Sequence, residues 1–233
     1  MGPFTIAIIV IVGVLALGSF VSAVSTPFFS GQMFVFPGFT VGSGNLVTRQ
    51  ENFTGFTGIS LASGFRFTIT QSGSYSVKVT ADDNLVNYVQ VTQFGNTLSV
   101  GLVPGRGTMS ATLMVVITMP DLSQLDMSGG STGTVAGFSS THDFTVAASG
   151  GSSATVTGSA NNLSVEESGG SHLDLSGFHV TSAHVDLSGG SWTTLDIDGG
   201  LDANLSGGSQ LYYVGNPTMG AINTSGGSII SKK

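Results

Sequence analysis

The tetrapeptide Ser-Gly-Gly-Ser recurs through the second half of the chain, and this recurrence limits the fold more than any other feature of the sequence. Its copies begin at Ser128, Ser149, Ser168, Ser188, Ser206 and Ser225, so successive copies start 18 to 21 residues apart. Such near-constant spacing is typical of repeat architectures, in which each repeat is one structural unit that packs on its neighbours.

Apolar and polar residues alternate next to each copy, as they do along a β-strand. The residue three positions before the first serine is always apolar, whereas the residue two positions before it is polar in nearly every copy. The second column consists of Asp126, Ala147, Glu166, Asp186, Asn204 and Asn223. This alternation predicts short strands that stack on their counterparts in neighbouring repeats, about 4.8 Å apart. We therefore expect an all-β chain whose repeats form a right-handed parallel β-solenoid, or β-helix, of about six short coils.

The tetrapeptides themselves are interpreted as the corners of these coils. Their first glycines are Gly129, Gly150, Gly169, Gly189, Gly207 and Gly226. Glycine permits a positive φ at a sharp bend and lets successive backbones approach closely, and the flanking serines can bond to backbone groups that the bend leaves free. A catalytic serine repeated in every coil makes no chemical sense, so the tetrapeptide predicts a structural role.

The whole chain divides into four regions. Residues 1–25 form an apolar segment, residues 26–48 a phenylalanine-rich connector, residues 49–120 an N-terminal strand region, and residues 121–233 the repeat solenoid. Within residues 49–120, alternating runs predict strands and turns, and the apolar run at 111–120 predicts a strand buried on both faces.

Residues 4–24 are long and apolar enough to span a bilayer as a helix. They predict a retained membrane anchor or an uncleaved export signal. A signal cleaved after Ala23 is a second interpretation, and a helix that bundles with copies of itself in an extracellular filament is a third. All three interpretations place residues 49–233 on the outer side of the membrane, at the cell surface.

Charge and cysteine content exclude several classes of function. The net charge is −7, and no Lys or Arg occurs between Gly107 and Ser231. The acids in that span are Asp121, Asp126, Asp143, Glu166, Glu167, Asp174, Asp186, Asp196, Asp198 and Asp202. Such a surface repels phosphate backbones, so nucleic acid is not expected as a partner. Because the chain has no cysteine, it cannot form disulfides or thiolate zinc sites, and we expect no metal or cofactor.

Several segments together resemble a known family. They are GFRFTITQSGSYSVKVTADDNL, GNTLSVGL, MPDLSQLDMSGGS, VTGSANNLSV and LYYVGNPTM, combined with the recurrent corners. Over roughly residues 41–230, the chain resembles the putative auto-transporter adhesin head domain, also called the head GIN domain. The resemblance implies an extracellular or envelope β-solenoid and supplies no catalytic residues. Members of that family often carry a lipoprotein signal, but this chain has no cysteine to receive a lipid.

One group of side chains is a candidate ligand patch. His172 and Asp174 lie two residues apart on the outward side of one strand, and Trp192 and Tyr212 follow in the corresponding columns of the next coils. Aromatic faces beside a carboxylate suit a cell-surface glycan or protein ligand. The same pattern also fits an ordinary solvated strand face with cross-strand pairs.

An enzymatic role is the weaker interpretation. Some β-solenoids cleave polysaccharides with clustered carboxylates, and Asp174 and Asp186 would be the first candidates here. Glycoside chemistry needs two carboxyl groups across a cleft, whereas Asp186 is expected in an outward ladder on a convex face without a cleft. We therefore expect a non-catalytic adhesion or structural protein, with a filament subunit and a polysaccharide-processing enzyme as the alternatives.

Four N-glycosylation sequons occur in the sequence. They begin at Asn52, Asn162, Asn204 and Asn223. Asn204 and Asn223 would be stacked neighbours, where two glycans would crowd each other, so we interpret these two as a ladder of side-chain amides. Asn52 and Asn162 are the candidate glycosylation sites.

Overall fold

The structure is a computed structural model that describes residues 39–233, and this part of the chain is almost entirely β. Its helical content is a single 3-10 turn at Val86–Tyr88. Within residues 39–233, no helix is long and apolar enough to cross a membrane. The predicted apolar helix at residues 4–24 lies outside the described residues, as does most of the phenylalanine-rich connector.

The strands of the first half are short and joined by tight turns. They are β1 (Phe39–Val41), β2 (Leu46–Glu51), β3 (Gly58–Leu61), β4 (Arg66–Gln71), β5 (Ser76–Asp82), β6 (Val89–Phe94), β7 (Thr97–Leu102), β8 (Gly107–Met109) and β9 (Leu113–Met119). β1 and β8 form a separate two-stranded parallel sheet.

The strands of the second half alternate with the Ser-Gly-Gly-Ser corners. They are β10 (Gln124–Met127), β11 (Thr132–Ser139), β12 (Phe144–Ala148), β13 (Ser153–Glu167), β14 (His172–Leu187), β15 (Trp192–Ile197), β16 (Gly200–Leu205), β17 (Gln210–Val214), β18 (Thr218–Thr224) and β19 (Ile229–Lys232). β13 and β14 are long because each bends and contributes to two faces of the stack.

Neighbouring coils pair in parallel and in the register that the tetrapeptides set. The apolar residues before the corners stack in the order Leu125, Val146, Val165, Val185, Ala203 and Ile222. The prediction of an all-β solenoid is confirmed, and the stack makes about five turns. Its right-handed sense stays a prediction.

The strands before residue 120 continue the same stack. β3 pairs in parallel with β10 and β4 pairs in parallel with β11, so these two strands form a further layer beneath the first tetrapeptide. β7 and β9 lie beneath β3 and β4, again in parallel. The antiparallel strands β6, β5 and β2 then close this end of the molecule.

The core is the column of inward side chains that runs through all layers. It includes large side chains with no more than 1% exposure, among them Phe56, Phe65, Leu125 and Leu173. The prediction that residues 111–120 form a strand buried on both faces is wrong, since Val116 of β9 is 47% exposed. β9 pairs sideways with β4 and β5, so only one of its faces meets the core.

Candidate functional site

The corners fix how every side-chain column is presented. The first glycines of the tetrapeptides have φ values from 62° to 67°, in the left-handed region that favours glycine. In the first five corners, the serine at the fourth position of the tetrapeptide is buried. Its hydroxyl donates to the backbone carbonyl of the serine at the first position, at 2.7–2.8 Å. These closed turns hold the flanking strands in the same orientation from coil to coil.

Immediately after the corners, one outward column carries aromatic side chains. His172, Trp192 and Gln210 are register neighbours in β14, β15 and β17, and Asp174, Thr194 and Tyr212 occupy the next outward column. The structure therefore places the four predicted patch residues on one face, across three coils.

His172, Trp192 and Tyr212 form a continuous row of rings, which we call the aromatic ladder. The centroids of His172 and Trp192 are 4.4 Å apart with an interplanar angle of 43°. Those of Trp192 and Tyr212 are 6.0 Å apart in an edge-on arrangement at 78°. Trp192 is 43% exposed, and the Tyr212 hydroxyl donates to Gln210 Oε1 at 2.9 Å. The rings support one another and leave the indole open to solvent.

Asp174 supplies a negative charge beside the ladder. The hydroxyl and the amide of Ser176 donate to Asp174 Oδ1 at 2.6 and 3.0 Å. These bonds, together with the nearby Lys233 ammonium, hold the pKa of Asp174 below its usual range, although partial burial opposes them. The Lys233 ammonium also lies 5.9 Å from the centroid of the Tyr212 ring. The patch thus combines exposed ring faces with a fixed carboxylate and a cation.

The face before the corners carries a ladder of acids and amides. Asn204 Nδ2 donates to Asp186 Oδ1 at 2.7 Å, and Asn223 Nδ2 donates to Asn204 Oδ1 at 2.8 Å. A groove of about 740 Å³ runs along this column and is lined by it and by the first serines of the corners. The prediction of a convex face without a cleft is therefore wrong.

Three of the four carboxyl groups that line this groove belong to one column, and the fourth, Glu167, belongs to the neighbouring inward column. Asp126, Glu166 and Asp186 are linked through successive strand registers, so they are stacked along the groove. Glycoside hydrolysis instead needs a carboxyl group on each side of the scissile bond. Asp174, the other predicted catalytic candidate, lies in the column after the corner, beside Thr194.

Histidines pair with carboxylates elsewhere on the solenoid. His142 Nε2 lies 2.7 Å from Asp121 Oδ2 and His184 Nε2 lies 3.3 Å from Asp186 Oδ2. The carbonyl of Asp143 and the Asp121 carboxylate raise the pKa of His142. In the part of the chain that the structure describes, no cluster of three or more His, Cys, Asp or Glu residues is arranged to hold a metal ion.

Sequence reasoning counted Glu167 among the acids but did not predict that its side chain is buried. It occupies an inward position between Ala148 and Leu187 and is only 3% exposed. The buried Thr193 hydroxyl donates to its Oε1, while Oε2 has no hydrogen-bond partner within residues 39–233. Burial raises the pKa of Glu167 to about 7, against the lowering effect of Thr193. The sequence feature that could have indicated this burial is that Glu167 shares a column with the apolar residues Met127, Leu187 and Leu205.

The two predicted glycosylation sites are both exposed. Asn52 directly follows β2, and Asn162 lies within β13. Asn162 Nδ2 donates to Asp143 Oδ1 at 2.7 Å, so a glycan there would replace this bond.

Comparison with family models decides which proteins the chain is related to. Residues 55–217 match the model of the family described as "Putative auto-transporter adhesin, head GIN domain". The chain belongs to this family. The match covers the layers from β3 to the end of β17, and so includes every residue of the aromatic ladder. A comparison with curated proteins gives no match.

Solved structures share the fold of this head GIN domain protein. A crystal structure of a "putative adhesin" from Bacteroides fragilis has 18% identity and a TM-score of 0.68, covering 83% of this chain and 100% of its own. A "putative lipid binding protein" from Parabacteroides distasonis has 17% identity and a TM-score of 0.60, covering 84% of this chain and 99% of its own. At these identities the likeness shows the fold alone.

Proposed function

We propose that this protein is a non-catalytic adhesin head that binds a glycan on a cell or envelope surface through the aromatic ladder. The observation that carries the proposal is the row formed by His172, Trp192 and Tyr212, with the Trp192 indole 43% exposed. An exposed indole supported on both sides by other rings offers a pre-organised apolar face, and ordering it on binding costs little entropy.

The polar groups around the ladder suit carbohydrate chemistry. A pyranose ring has an apolar C–H face that packs on an aromatic ring, and its hydroxyl groups need hydrogen-bond partners around that contact. Gln210 supplies an amide in the same column as Trp192, and Asp174 supplies an acceptor in the next outward column. The patch therefore offers both kinds of contact that a sugar ring requires.

A surface location follows from two lines of support. The family to which the chain belongs is described as an auto-transporter adhesin head, and residues 4–24 predict a membrane anchor or export signal. The filament alternative rests on the same residues 4–24, which lie outside the described part of the chain.

The proposal leaves out catalysis because of how the carboxylates are placed. In the groove, Asp126, Glu166 and Asp186 are stacked in one column and Glu167 is buried in the neighbouring one. Outside the groove, Asp174 is held ionised by the Ser176 hydroxyl and amide. A carboxyl group that acts as a general acid needs a raised pKa, whereas that of Asp174 is lowered. The pKa of Glu167 is raised, but its side chain is only 3% exposed and is bonded to the buried Thr193 hydroxyl.

The test compares two exposed aromatic residues on the compact unit Phe36–Lys233. Binding to an array of bacterial surface polysaccharides is measured for the unchanged protein, Trp192→Ala and Phe94→Ala. Phe94 is 92% exposed but lies at the end of β6, outside the ladder. We expect Trp192→Ala to weaken binding about tenfold through the lost ring contact, and Phe94→Ala to bind as the unchanged protein does. Equal binding by all three proteins, or binding to no polysaccharide, would contradict the proposal.

A further inference from the structure

Thr194 lies in an outward column of the solenoid, but its side chain is buried. Its register neighbours in that column are Asp174 in β14 and Tyr212 in β17. Trp192, two residues earlier on the same side of β15, is 43% exposed, whereas Thr194 is only 2% exposed. Neighbouring side chains therefore cover Thr194, and its hydroxyl group lies beneath the surface of the patch beside the aromatic ladder.

The group that contacts the Thr194 hydroxyl is the ammonium of Lys233. Lys233 Nζ donates to Thr194 Oγ1 at 3.4 Å and lies 5.9 Å from the centroid of the Tyr212 ring. Its charge also helps to lower the pKa of Asp174. The main chain of Lys233 is held in place, because its amide donates to the Tyr213 carbonyl at 2.9 Å. The patch therefore already receives one primary ammonium group, from the chain itself.

These contacts hold the Lys233 ammonium only weakly. A hydrogen bond from nitrogen to oxygen is normally about 2.7–3.2 Å long, and a cation is attracted to an aromatic ring within about 6 Å of its centroid. The bond to Thr194 is longer than this range, and the distance to the Tyr212 ring is at its limit. The ion pairs formed among residues 39–233 do not include one between Lys233 and Asp174. A lysine side chain also loses rotamer freedom when it is held, so the ammonium of a ligand can replace it at little cost.

Asp174 keeps the capacity to bind a cation. The hydroxyl and the amide of Ser176 both donate to its Oδ1, whereas its Oδ2 accepts no hydrogen bond within the part of the chain that the structure describes. The carboxyl group stays ionised, because the Ser176 bonds lower its pKa. A carboxylate oxygen without a partner beside an exposed aromatic face binds ammonium groups through a charge-assisted hydrogen bond and cation–π attraction.

The charge of the surrounding surface favours the same kind of ligand. Between Gly107 and Ser231 the chain contains many acids and no Lys or Arg. The field of such a surface attracts cations and repels anions. Sugars that carry carboxylate, sulfate or phosphate groups are therefore disfavoured at the ladder, whereas a ligand with an ammonium group gains from the field as well as from the direct contacts.

We propose that the glycan bound by the aromatic ladder is a polysaccharide with free amino groups, and that one of its ammonium groups replaces that of Lys233 between Asp174, Thr194 and Tyr212. This assignment rests on the proposed function, since it names the class of sugar that the ladder takes. Outward positions two residues apart on a strand are separated by roughly 6.6 Å. A sugar ring that packs on the Trp192 indole therefore places an amino substituent in the neighbouring outward column.

A lysine side chain of a protein partner carries the same ammonium group, but the patch fits an amino sugar better. A pyranose presents a flat C–H face directly beside its amino group, and the exposed Trp192 indole matches that face. The ammonium of a lysine ends a flexible four-carbon chain, which brings no flat apolar face with it. A lysine-containing peptide is therefore included in the test as the competing ligand.

The test compares two trisaccharides that differ in one group, on the full chain in mild detergent. The first is the trimer of N-acetylglucosamine, which is neutral, and the second is the same trimer with a free, protonated amino group on its middle ring. Both are titrated at about 0.15 M salt, where charges more than about 8 Å away are largely screened. We expect the trimer with the free amino group to bind about tenfold more tightly, through one charge-assisted contact and one cation–π contact.

The ratio of the two dissociation constants is the quantity that the variants change. Asp174→Asn removes the carboxylate charge and is expected to abolish most of the preference for the free amino group. Lys233→Gln removes the competing ammonium and is expected to increase that preference. Asp186→Asn is the matched control: it removes one charge from the same acidic surface, but Asp186 lies in the column before the corner. We expect its ratio to equal that of the unchanged protein.

The outcomes separate this inference from the proposed function. Equal binding of the two trimers, with Trp192→Ala weakening both, would overturn the amino-sugar assignment and leave the ladder as a glycan site. A preference that Asp186→Asn lowers as much as Asp174→Asn does, or that Lys233→Gln lowers, would also overturn it, because the preference would then come from the whole acidic surface or from Lys233 itself. Binding of a short lysine peptide but of neither trimer would overturn it in favour of a protein ligand. Binding of both trimers that Trp192→Ala leaves unchanged would contradict the proposed function itself.

Discussion

Glu167 is a carboxyl group placed where the neighbouring coils have apolar side chains. It contacts Thr193 through one oxygen, and its other oxygen has no partner within residues 39–233. No charged group contributes to the raised pKa, which results from burial against the effect of the Thr193 bond. A buried carboxylate without a cation is costly, so the proton is the partner that this site favours.

This environment predicts that the stability of the solenoid falls as the pH rises. The pKa of Glu167 is about 7 in the folded chain and 4.5 in its reference state. Between these values the folded chain keeps a proton that the unfolded chain has released, so stability is highest below pH 4.5 and is lost towards pH 7. Above pH 7 we expect the free energy of unfolding to be lower by roughly 3 kcal/mol on account of this group.

The variant Glu167→Gln separates the contribution of Glu167 ionisation to stability from that of the other titrating groups. The neutral amide has no proton to lose, so the variant should be more stable than the natural protein at pH 8 and lose that advantage below pH 5. The measurement is chemical denaturation of both proteins across this pH range. Because other groups, such as His142, also titrate, the difference between the two proteins is the informative quantity. A difference that does not change with pH would show that the pKa of Glu167 is the same in the folded and the unfolded chain, against the effect of burial.

At the scale of a single element, the Ser-Gly-Gly-Ser turn combines two demands on its first glycine. Gly189 has a φ of 67°, and a Cβ built on it would lie 3.0 Å from the backbone nitrogen of Gly169 in the preceding coil. The left-handed conformation alone costs a non-glycine residue about 1–2 kcal/mol. The close approach adds to that cost, because a backbone atom cannot move aside without disturbing the ladder.

We therefore expect Gly189→Ala to lower the free energy of unfolding by about 2 kcal/mol or more. Gly73 provides the control, since its φ is not positive and a Cβ there would meet no atom within 4 Å. Gly73→Ala should be close to neutral. Thermal unfolding followed by circular dichroism measures both variants, and equal melting temperatures for the two would argue against the steric account of the corner.

The repeat period explains how much of the fold could be predicted from the sequence. Six copies of one tetrapeptide fix the columns, which is why the neighbours of His172 and Asp174 in the next coils could be named without coordinates. The layer formed by β3 and β4 was not predicted, because its corner has the sequence Ala62-Ser63-Gly64 instead of Ser-Gly-Gly-Ser. Ser63 takes the left-handed φ of 64° that a glycine takes in the other corners. A corner that lacks the tetrapeptide does not appear in the repeat pattern of the sequence.

The groove and Glu167 could not be predicted for a different reason. Alternation tells which side of a strand a residue occupies. It does not give the distance between the column of acids and amides and the serines of the corners, and this distance decides whether a groove lies between them. A lone acid in a mixed column is also ambiguous, because the partner that stabilises it, Thr193, lies 26 residues away.

At the scale of the whole molecule, acidic charge is concentrated along the solenoid. No Lys or Arg occurs between Gly107 and Ser231, and Glu166 and Asp186 are neighbours in adjacent strands. Like charges on opposed strand positions repel each other, and burial together with the charge of Glu166 raises the pKa of Asp126 in the same column.

Salt should therefore stabilise the protein. Raising sodium chloride from about 0.01 M to about 0.15 M shortens the screening length from about 30 Å to about 8 Å. We expect the melting temperature to rise by a few degrees, about 2–4 °C if screening contributes about 1 kcal/mol. Glu166→Gln removes one charge from the column and should show a smaller rise. A melting temperature that falls with salt would mean that attractive ion pairs outweigh the repulsion.

The stacked corners also determine how such a head can change in evolution. Each coil contacts only the coils above and below it, through the same registers and the same glycine turn. A duplicated segment of one period would therefore fit between its parents and push everything beyond it outward by one strand spacing, about 4.8 Å. Gene duplication can therefore change the distance between the aromatic ladder and the closed end in steps of one strand spacing, and the packing of the other coils stays the same.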